Sequence, residues 1–319
     1  MKKSTRIILL SVLFVVVFIV SALVSIMLTG SAPNKLYKVD WNDNIGKEYL
    51  DLPYENSQGH LYDLYVPTGL DKGETQYLIL YIHGGSFNSG AKEDGEIWCK
   101  YYATHGYITA SIDYSLQTVH EDATLHRMNE EIGSCVNAIQ KKCQELGYAL
   151  GGMATCGTSA GGTLAMNYAY TCAESSAVPV KFVFHLAGPT DLEPSDWELA
   201  KKVNGIKTDS EFIKMMTGEE FTEEQIKNGE HRTAVEAISP ASLVSADSVP
   251  TLCGYGLKDH VIPQNQKVLL VEAFEKTGAA YDYLEFPKSN HGMYADLDVL
   301  QDFIDRSLEY CDTYFNQNL

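Results

Sequence analysis

The sequence predicts an α/β protein with a mostly parallel central sheet, and two patterns carry this prediction. Short apolar runs alternate along the chain with helical segments of the length that connects parallel strands. Some of these runs are almost continuously apolar, which is typical of strands covered by helices on both faces. At 319 residues, with 45% hydrophobic and 21% charged side chains, the chain can bury a large core.

The predicted elements follow one another in a regular order. The strands share an apolar body bounded by turn residues, and lie at 60–66, 76–82, 107–112, 153–156, 181–186, 251–255 and 281–286. The helices lie between them, at 97–104, 121–146, 162–170, 264–276 and 296–315. Residues 191–247 show no strand pattern. We interpret them as a helical insertion over the sheet edge, acting either as a lid or wall of a substrate site or as a surface decoration.

The first thirty residues predict a membrane-targeting segment. A basic flank precedes residues 7–29, which hold no charged side chain and span about 34 Å as a helix, enough to cross a bilayer. This run is longer than the roughly 7–15 apolar residues of a cleaved signal peptide. We therefore expect an uncleaved signal anchor. Cleavage near the small residues 30–32, which would give a secreted protein, and a buried helix are the alternatives.

The basic flank also predicts the orientation of the chain. Basic residues before an apolar helix stay in the cytoplasm, so the rest of the chain should be extracytoplasmic. We expect a tether and lead-in at 31–54 and a globular domain at 55–319. The net charge of −18 repels phosphate backbones and argues against nucleic acid as a partner. The sequence carries no signal for an oligomeric state.

Seven cysteines are present, without a C-x-x-C pair or any spacing typical of zinc ligands. The odd count leaves at least one outside any intramolecular disulfide, although one or two disulfides are compatible with an oxidising compartment. Cys156 and Cys253 stand in apolar runs and are expected to be buried as small hydrophobic side chains.

The segment Gly157-Thr158-Ser159-Ala160-Gly161 stands between a predicted strand and a predicted helix. A sharp strand-to-helix turn at a serine is a nucleophile elbow, and such a turn leaves no room for bulk two residues before or after the serine. Both of those positions are glycine. The serine would stand at the N-terminus of a helix, where N–H groups favour a developing oxyanion.

Three further segments supply the groups that such a serine needs. Residues 83–87 read His-Gly-Gly-Ser-Phe and follow a buried strand, so that Gly84 and Gly85 can turn their N–H groups toward the serine. Asp259 follows one later strand and His291 follows the next, as an orienting acid and a base. His260 is the alternative base. Phe87, together with Trp98 and Tyr101, either lines an acyl pocket or belongs to the core.

These motifs together resemble the α/β-hydrolase fold. The resemblance covers about residues 61–315 and is nearest to the hormone-sensitive-lipase-like and feruloyl-esterase-like carboxylesterases. It includes the order serine, aspartate, histidine along the chain. It implies the roles of nucleophile, acid and base for Ser159, Asp259 and His291, and of oxyanion-hole donors for Gly84, Gly85 and Ala160.

The resemblance implies a serine esterase that forms an acyl-enzyme and needs neither metal nor cofactor. Ser86 stands where many relatives have a third glycine, which argues against lipases and tertiary-alcohol esterases; Ser86 and Phe87 are the candidate pocket residues. Short-chain or carbohydrate-linked esters are the expected substrates. A peptidase or amidase of the same fold and a non-catalytic binding domain are the alternatives.

Overall fold

The computed structural model describes residues 38–55, 59–120 and 122–316. Within these residues the chain forms one eight-stranded sheet. Its strands are β1 (Gly46–Pro53), β2 (Leu61–Pro67), β3 (Thr75–Ile82), β4 (Ile108–Ile112), β5 (Ala149–Thr158), β6 (Val180–Leu186), β7 (Thr251–Gly256) and β8 (Tyr281–Phe286).

The strand order is β1-β2-β4-β3-β5-β6-β7-β8. The first two pairs in that order are antiparallel, and every pair from β4 to β8 is parallel. The predicted α/β fold with a mostly parallel sheet is therefore confirmed. Since parallel strands end at the same edge, the loops after β3, β4, β5, β7 and β8 all emerge on one side of the molecule.

Ten α-helices are present among the described residues, and four of them are four to six residues long. They are α1 (Glu96–Thr104), α2 (Leu125–Leu146), α3 (Ala160–Cys172), α4 (Glu198–Val203), α5 (Asp209–Thr217), α6 (Glu223–Lys227), α7 (Arg232–Glu236), α8 (Pro240–Leu243), α9 (Asn265–Thr277) and α10 (Leu297–Tyr314). Helices α3 and α10 both pack against β6, and α2 packs on α3. The helices thus cover both faces of the sheet, as the continuously apolar strands require.

Two elements, α2 and β1, differ from the sequence prediction for local physical reasons. Helix α2 begins at Leu125 and not at 121, because the Thr124 side chain caps it by accepting a hydrogen bond from the Arg127 N–H. Strand β1 was missed, since it lies in the segment predicted to be a lead-in. It is an edge strand with mostly exposed side chains, so it carries no apolar run.

The predicted membrane-spanning segment, residues 7–29, lies outside the described residues. None of the helices that the structure describes has the length and apolar character needed to cross a membrane. All seven cysteines are described; each has a free thiol, and every one except Cys172 is buried. The expected burial of Cys156 and Cys253 is confirmed.

A buried ion pair lies where β2 meets the short 3-10 turn before α1. Lys92 Nζ is 3.1 Å from Asp63 Oδ1, and both side chains are almost completely buried. Asp51 and Glu93 also contact the ammonium, at 2.9 and 2.6 Å. Burial alone would lower the pKa of Lys92, but hydrogen bonds to these carboxylates raise it above its usual value. The lysine therefore stays charged and ties the turn to the sheet.

Replacing Lys92 by methionine should lower the free energy of unfolding by about 3–5 kcal/mol, because Asp63 would stay buried without its cation. Urea denaturation measures this change. Lys214→Met is the matched control, since Lys214 pairs with Glu220 on the exposed surface. It should leave the free energy of unfolding nearly unchanged, because water and salt screen an exposed ion pair. Equal effects of the two substitutions would contradict the assigned role of the buried pair.

Candidate active site

Ser159 occupies a strained turn between β5 and α3. Its φ is 54° and its ψ is −128°, a combination that non-glycine residues rarely adopt. A Cβ at position 157 would lie 2.5 Å from the carbonyl oxygen of Ile82, and one at position 161 would overlap the carbonyl oxygens of Ile82 and His83. Positions 157 and 161, two residues before and after the serine, must therefore be glycine, because the end of β3 packs directly against the turn.

The loop after β3 brings free backbone donors to this serine. A Cβ at Gly84 would lie 3.3 Å from Ser159 Cβ, so the two residues are neighbours. Within the described part of the chain, no acceptor is hydrogen-bonded to the N–H groups of Gly84, Gly85 or Ala160. Unpaired donors beside a serine at a helix N-terminus form the arrangement that stabilises an oxyanion.

Positive φ angles continue through this loop, and contacts with neighbouring segments hold it. Gly85, Ser86 and Phe87 have φ of 112°, 55° and 62°. The Phe87 carbonyl accepts a hydrogen bond from the Gln117 N–H at 3.0 Å. His83 Nδ1 lies 2.7 Å from the Gly84 carbonyl oxygen. Since a carbonyl only accepts, His83 donates through Nδ1 and braces the loop.

Tyr114 contacts His83 and holds it in place. Its ring stacks on Tyr114 with a centroid distance of 4.2 Å, and the Tyr114 hydroxyl donates to the His83 carbonyl at 2.9 Å. Burial lowers the pKa of His83, so the ring is neutral. These contacts show that His83 supports the loop after β3.

Asp259 and His291 meet at the same edge of the sheet. Asp259 Oδ2 lies 2.8 Å from His291 Nδ1, and Asp259 Oδ1 accepts hydrogen bonds from the N–H groups of Val261 and Ile262 at 2.8 and 3.0 Å. Burial would raise the pKa of Asp259. The hydrogen bond and charge of His291 and the two backbone donors outweigh burial and hold the pKa below its usual value. Asp259 is thus an ionised carboxylate that is hydrogen-bonded to the His291 imidazole.

His260, the alternative base, does not take this place. It is exposed, whereas the neighbouring Asp259 is 5% exposed and faces His291. Because an ionised carboxylate only accepts, His291 carries its proton on Nδ1 when neutral. Its Nε2 is then left as an acceptor for a proton.

A cavity of about 280 Å³ opens beside the serine. Ser159 and Ala160 form part of its wall, with Ser86 and Phe87 from the loop after β3 and Val261 and Ile262 from the loop that carries Asp259. Segment 191–247 supplies a large apolar share of the wall, including Leu192, Trp197, Phe212, Met215 and Met216. No charged side chain is among the described residues that line it.

The start of this segment is held firmly against the domain. Gln266, which is fully buried, accepts the N–H groups of Thr190 and Asp191 at 2.8 Å each. The Trp197 indole N–H donates to the Asp191 carbonyl at 3.0 Å. The first residues of the segment, up to Trp197, are thus held at the wall of the cavity beside Ser159.

The sequence did not single out several residues of the cavity. Gln117, in the loop after β4, and the apolar residues of α5 line the cavity, yet short segments of mixed character gave no motif that could find them. Trp98 and Tyr101, considered for the pocket, do not line it. Trp98 instead stacks with Tyr81 and Tyr102.

Three features define this protein as an α/β-hydrolase. They are the strand order, the strained serine after β5, and the hydrogen-bonded pair of an aspartate after β7 and a histidine after β8. The chain belongs to the BD-FAE family, whose profile matches residues 62–274, more than half of its length. This family is part of the carboxylesterase group of that fold.

Solved structures share the fold at low sequence identity. A truncated carbohydrate esterase from gut microbiota aligns with a TM-score of 0.68 and 18% identity, over 86% of this chain and 99% of its own. Esterase B from Lactobacillus rhamnosis aligns with a TM-score of 0.64 and 16% identity, over 93% of this chain and 99% of its own. A thermophilic esterase from Thermogutta terrifontis aligns with a TM-score of 0.63 and 19% identity, over 83% of this chain and 91% of its own.

Curated relatives align over shorter stretches. Kynurenine formamidase from Salmo salar is 25% identical over 152 residues, which are 47% of this chain and 49% of the relative. Non-reducing polyketide synthase Preu6 from Preussia isomera is 29% identical over 149 residues, 44% of this chain and 6% of the relative. The matched region is thus about half of the formamidase and a small part of the synthase.

Gly161→Ala should abolish at least about 99% of the hydrolytic rate, because displacing the serine by about 1 Å costs roughly a hundredfold. The new methyl group would overlap the carbonyl oxygens of Ile82 and His83. Steady-state rates on a short 4-nitrophenyl ester measure the loss.

The matched control is Gly133→Ala in the interior of α2. A Cβ there would meet the Tyr168 ring at an ordinary 3.7 Å. It should leave the rate unchanged and raise the free energy of unfolding by about 0.5–1 kcal/mol. Full activity of Gly161→Ala would refute the packing constraint at the elbow.

Proposed function

We propose that the protein is a serine hydrolase that cleaves carboxylic esters through an acyl-enzyme. Ser159 is the nucleophile, His291 the general base and acid, and Asp259 the residue that orients the imidazole. The observation that carries this proposal is the 2.8 Å hydrogen bond between Asp259 and His291, at the sheet edge where Ser159 stands in a strained turn. Membership of a carboxylesterase family supports it.

The mechanism follows from the protonation states of these groups. His291 Nε2 takes the proton from Ser159 Oγ as that oxygen attacks the ester carbonyl. The negative charge on the carbonyl oxygen is met by the N–H groups of Gly84, Gly85 and Ala160, and by the N-terminus of α3. Asp259 stabilises the imidazolium. His291 then protonates the leaving alcohol, and a water molecule deprotonated by His291 releases the acid.

The shape of the cavity favours compact, uncharged acyl groups. Its volume of about 280 Å³ lies near the lower limit for small-molecule sites, and its wall is largely apolar. The net charge of −18 disfavours anionic substrates. We therefore propose short-chain or carbohydrate-linked esters as substrates, with segment 191–247 as the fixed wall of the acyl site. The carbohydrate esterase among the structural neighbours supports this substrate class.

An amidase of the same fold is the second candidate. The formamidase relative, whose name denotes cleavage of an amide, favours it. Amide hydrolysis requires protonation of a poorer leaving group, so an ester and its matched amide separate the two functions. A ratio of kcat/KM that favours the ester supports the esterase, and equal or reversed values support the amidase. A non-catalytic domain would react with neither.

Ser159→Ala should reduce the hydrolysis of 4-nitrophenyl acetate and butyrate by at least about a thousandfold, because the acyl-enzyme cannot form. It should also abolish labelling by a fluorophosphonate probe. Ser175→Ala, at an exposed turn, is the matched control and should keep both activities. Hydrolysis and labelling that survive in Ser159→Ala would refute the assignment.

We also propose that residues 7–29 anchor the chain in a membrane, with the hydrolase domain on the extracytoplasmic side. The full chain should then sediment with membranes at high salt and dissolve only in detergent. A chain that begins at Ser31 should stay in the supernatant. A mature protein in the medium that lacks the first thirty residues would instead support a cleaved signal peptide.

A further inference from the structure

The loop between β8 and α10 carries His291, and a buried carboxylate at the far end of this loop holds its start. Asp296 is 1% exposed and directly precedes α10, a position where an aspartate usually caps its own helix. Its side chain makes no capping hydrogen bond to α10. Asp296 Oδ2 instead accepts the Lys288 N–H at 2.8 Å and the Ser289 hydroxyl at 2.7 Å. The carboxylate is therefore directed at the loop and not at the helix.

The charge of Asp296 strengthens these contacts. Burial would raise the pKa of Asp296, but the hydrogen bonds from Ser289 and Lys288 and the charge of Lys288 outweigh burial and hold the pKa below its usual value. An ionised carboxylate only accepts, so both groups of the loop donate to it. Ser289, which is fully buried, also accepts the Ala295 N–H at 3.1 Å through its hydroxyl oxygen. The loop is thus closed on itself, with His291 between its two ends.

Ser289 also joins this loop to the loop that carries Asp259. The Ser289 carbonyl oxygen accepts the N–H of Lys258, the residue before Asp259, at 2.9 Å. A Cβ at Gly256 would lie 2.6 Å from the same carbonyl oxygen, so the two backbones are in direct contact. The 2.8 Å hydrogen bond between Asp259 Oδ2 and His291 Nδ1 connects the same two loops. A shift of Ser289 would therefore move His291 relative to Asp259.

Proton transfer requires an accurately placed imidazole. In the proposed mechanism, on which this inference rests, His291 takes the proton of Ser159 and delivers it to the leaving alcohol. The His291 side chain is 28% exposed, so its position depends strongly on the loop that carries it. Misplacement of a catalytic group by about 1 Å costs roughly a hundredfold in rate. We infer that Asp296 is a positioning residue that keeps His291 aligned for proton transfer by holding Ser289.

Two esters with the same acyl group test this role. Phenolate is a poorer leaving group than 4-nitrophenolate, so phenyl butyrate depends more than 4-nitrophenyl butyrate on the proton that His291 delivers. Asp296→Leu removes the acceptor oxygens. In the purified full chain it should lower kcat/KM about tenfold for the 4-nitrophenyl ester and about a hundredfold for the phenyl ester, mainly through kcat. Loss of folded protein would instead lower both values by the same factor.

Three further variants separate positioning from general support of the fold. Asp296→Asn keeps an oxygen for the two donors and should retain the wild-type ratio of the two kcat/KM values. Ser289→Ala removes only the hydroxyl group and should change this ratio in the same direction as Asp296→Leu, so the inference stays testable if Asp296→Leu does not fold. Asp302→Leu places the same substitution at an exposed position of α10, where the carboxylate pairs with Arg306, and should keep both values.

The outcomes also separate this inference from the proposed function. A folded Asp296→Leu chain or a Ser289→Ala chain with the wild-type ratio would overturn the inference, and so would an Asp296→Asn chain that loses as much activity as Asp296→Leu. In each of these cases the wild-type chain still hydrolyses both esters, so the proposed function stands. A wild-type chain that hydrolyses neither ester refutes the proposed function itself and, with it, a role of Asp296 in catalysis.

Discussion

The close approach of the end of β3 to the turn at Ser159 is the constraint on which the site depends. The carbonyl oxygens of Ile82 and His83 lie where side chains at positions 157 and 161 would project. Glycine at both positions lets two parallel strands and a helix converge within van der Waals contact. The same contact places Gly84 beside Ser159, so that the proposed nucleophile and the proposed oxyanion donors are positioned by one packing arrangement.

Buried polar contacts then hold the loops that leave this edge. The Lys92–Asp63 pair fixes the turn before α1, Glu131 holds Ser115 in the loop after β4, and Gln266 fixes the start of segment 191–247. Each contact joins a loop to a strand or helix of the domain. Loops can hold catalytic groups in precise positions only when additional contacts of this kind restrict the motion of the loops. Strain at Ser86, Phe87 and Ser159 persists for the same reason.

Much of the fold was predictable because most of its strands are buried on both faces. Strands β2 to β8 follow apolar runs that the sequence displays directly, and their order of alternation with helices indicates a parallel sheet. Edge strand β1 escaped prediction, since exposed side chains on an edge carry no apolar pattern. The helices of segment 191–247 were expected only as a group. They are four to nine residues long, too short for a helical period to mark each of them.

Short stretches of sequence are enough to indicate the reactive groups of this chain: a serine with glycine two residues before and after it, an aspartate and a histidine each placed after a strand, and a glycine pair before them. These depend on residue type and on local turns, which short stretches of sequence encode. Long-range packing, by contrast, places His291 and not His260 against Asp259, and brings Gln117 and α5 into the wall of the cavity. Such contacts join residues far apart in the chain, and their geometry depends on how the whole sheet twists and packs, which no local pattern records.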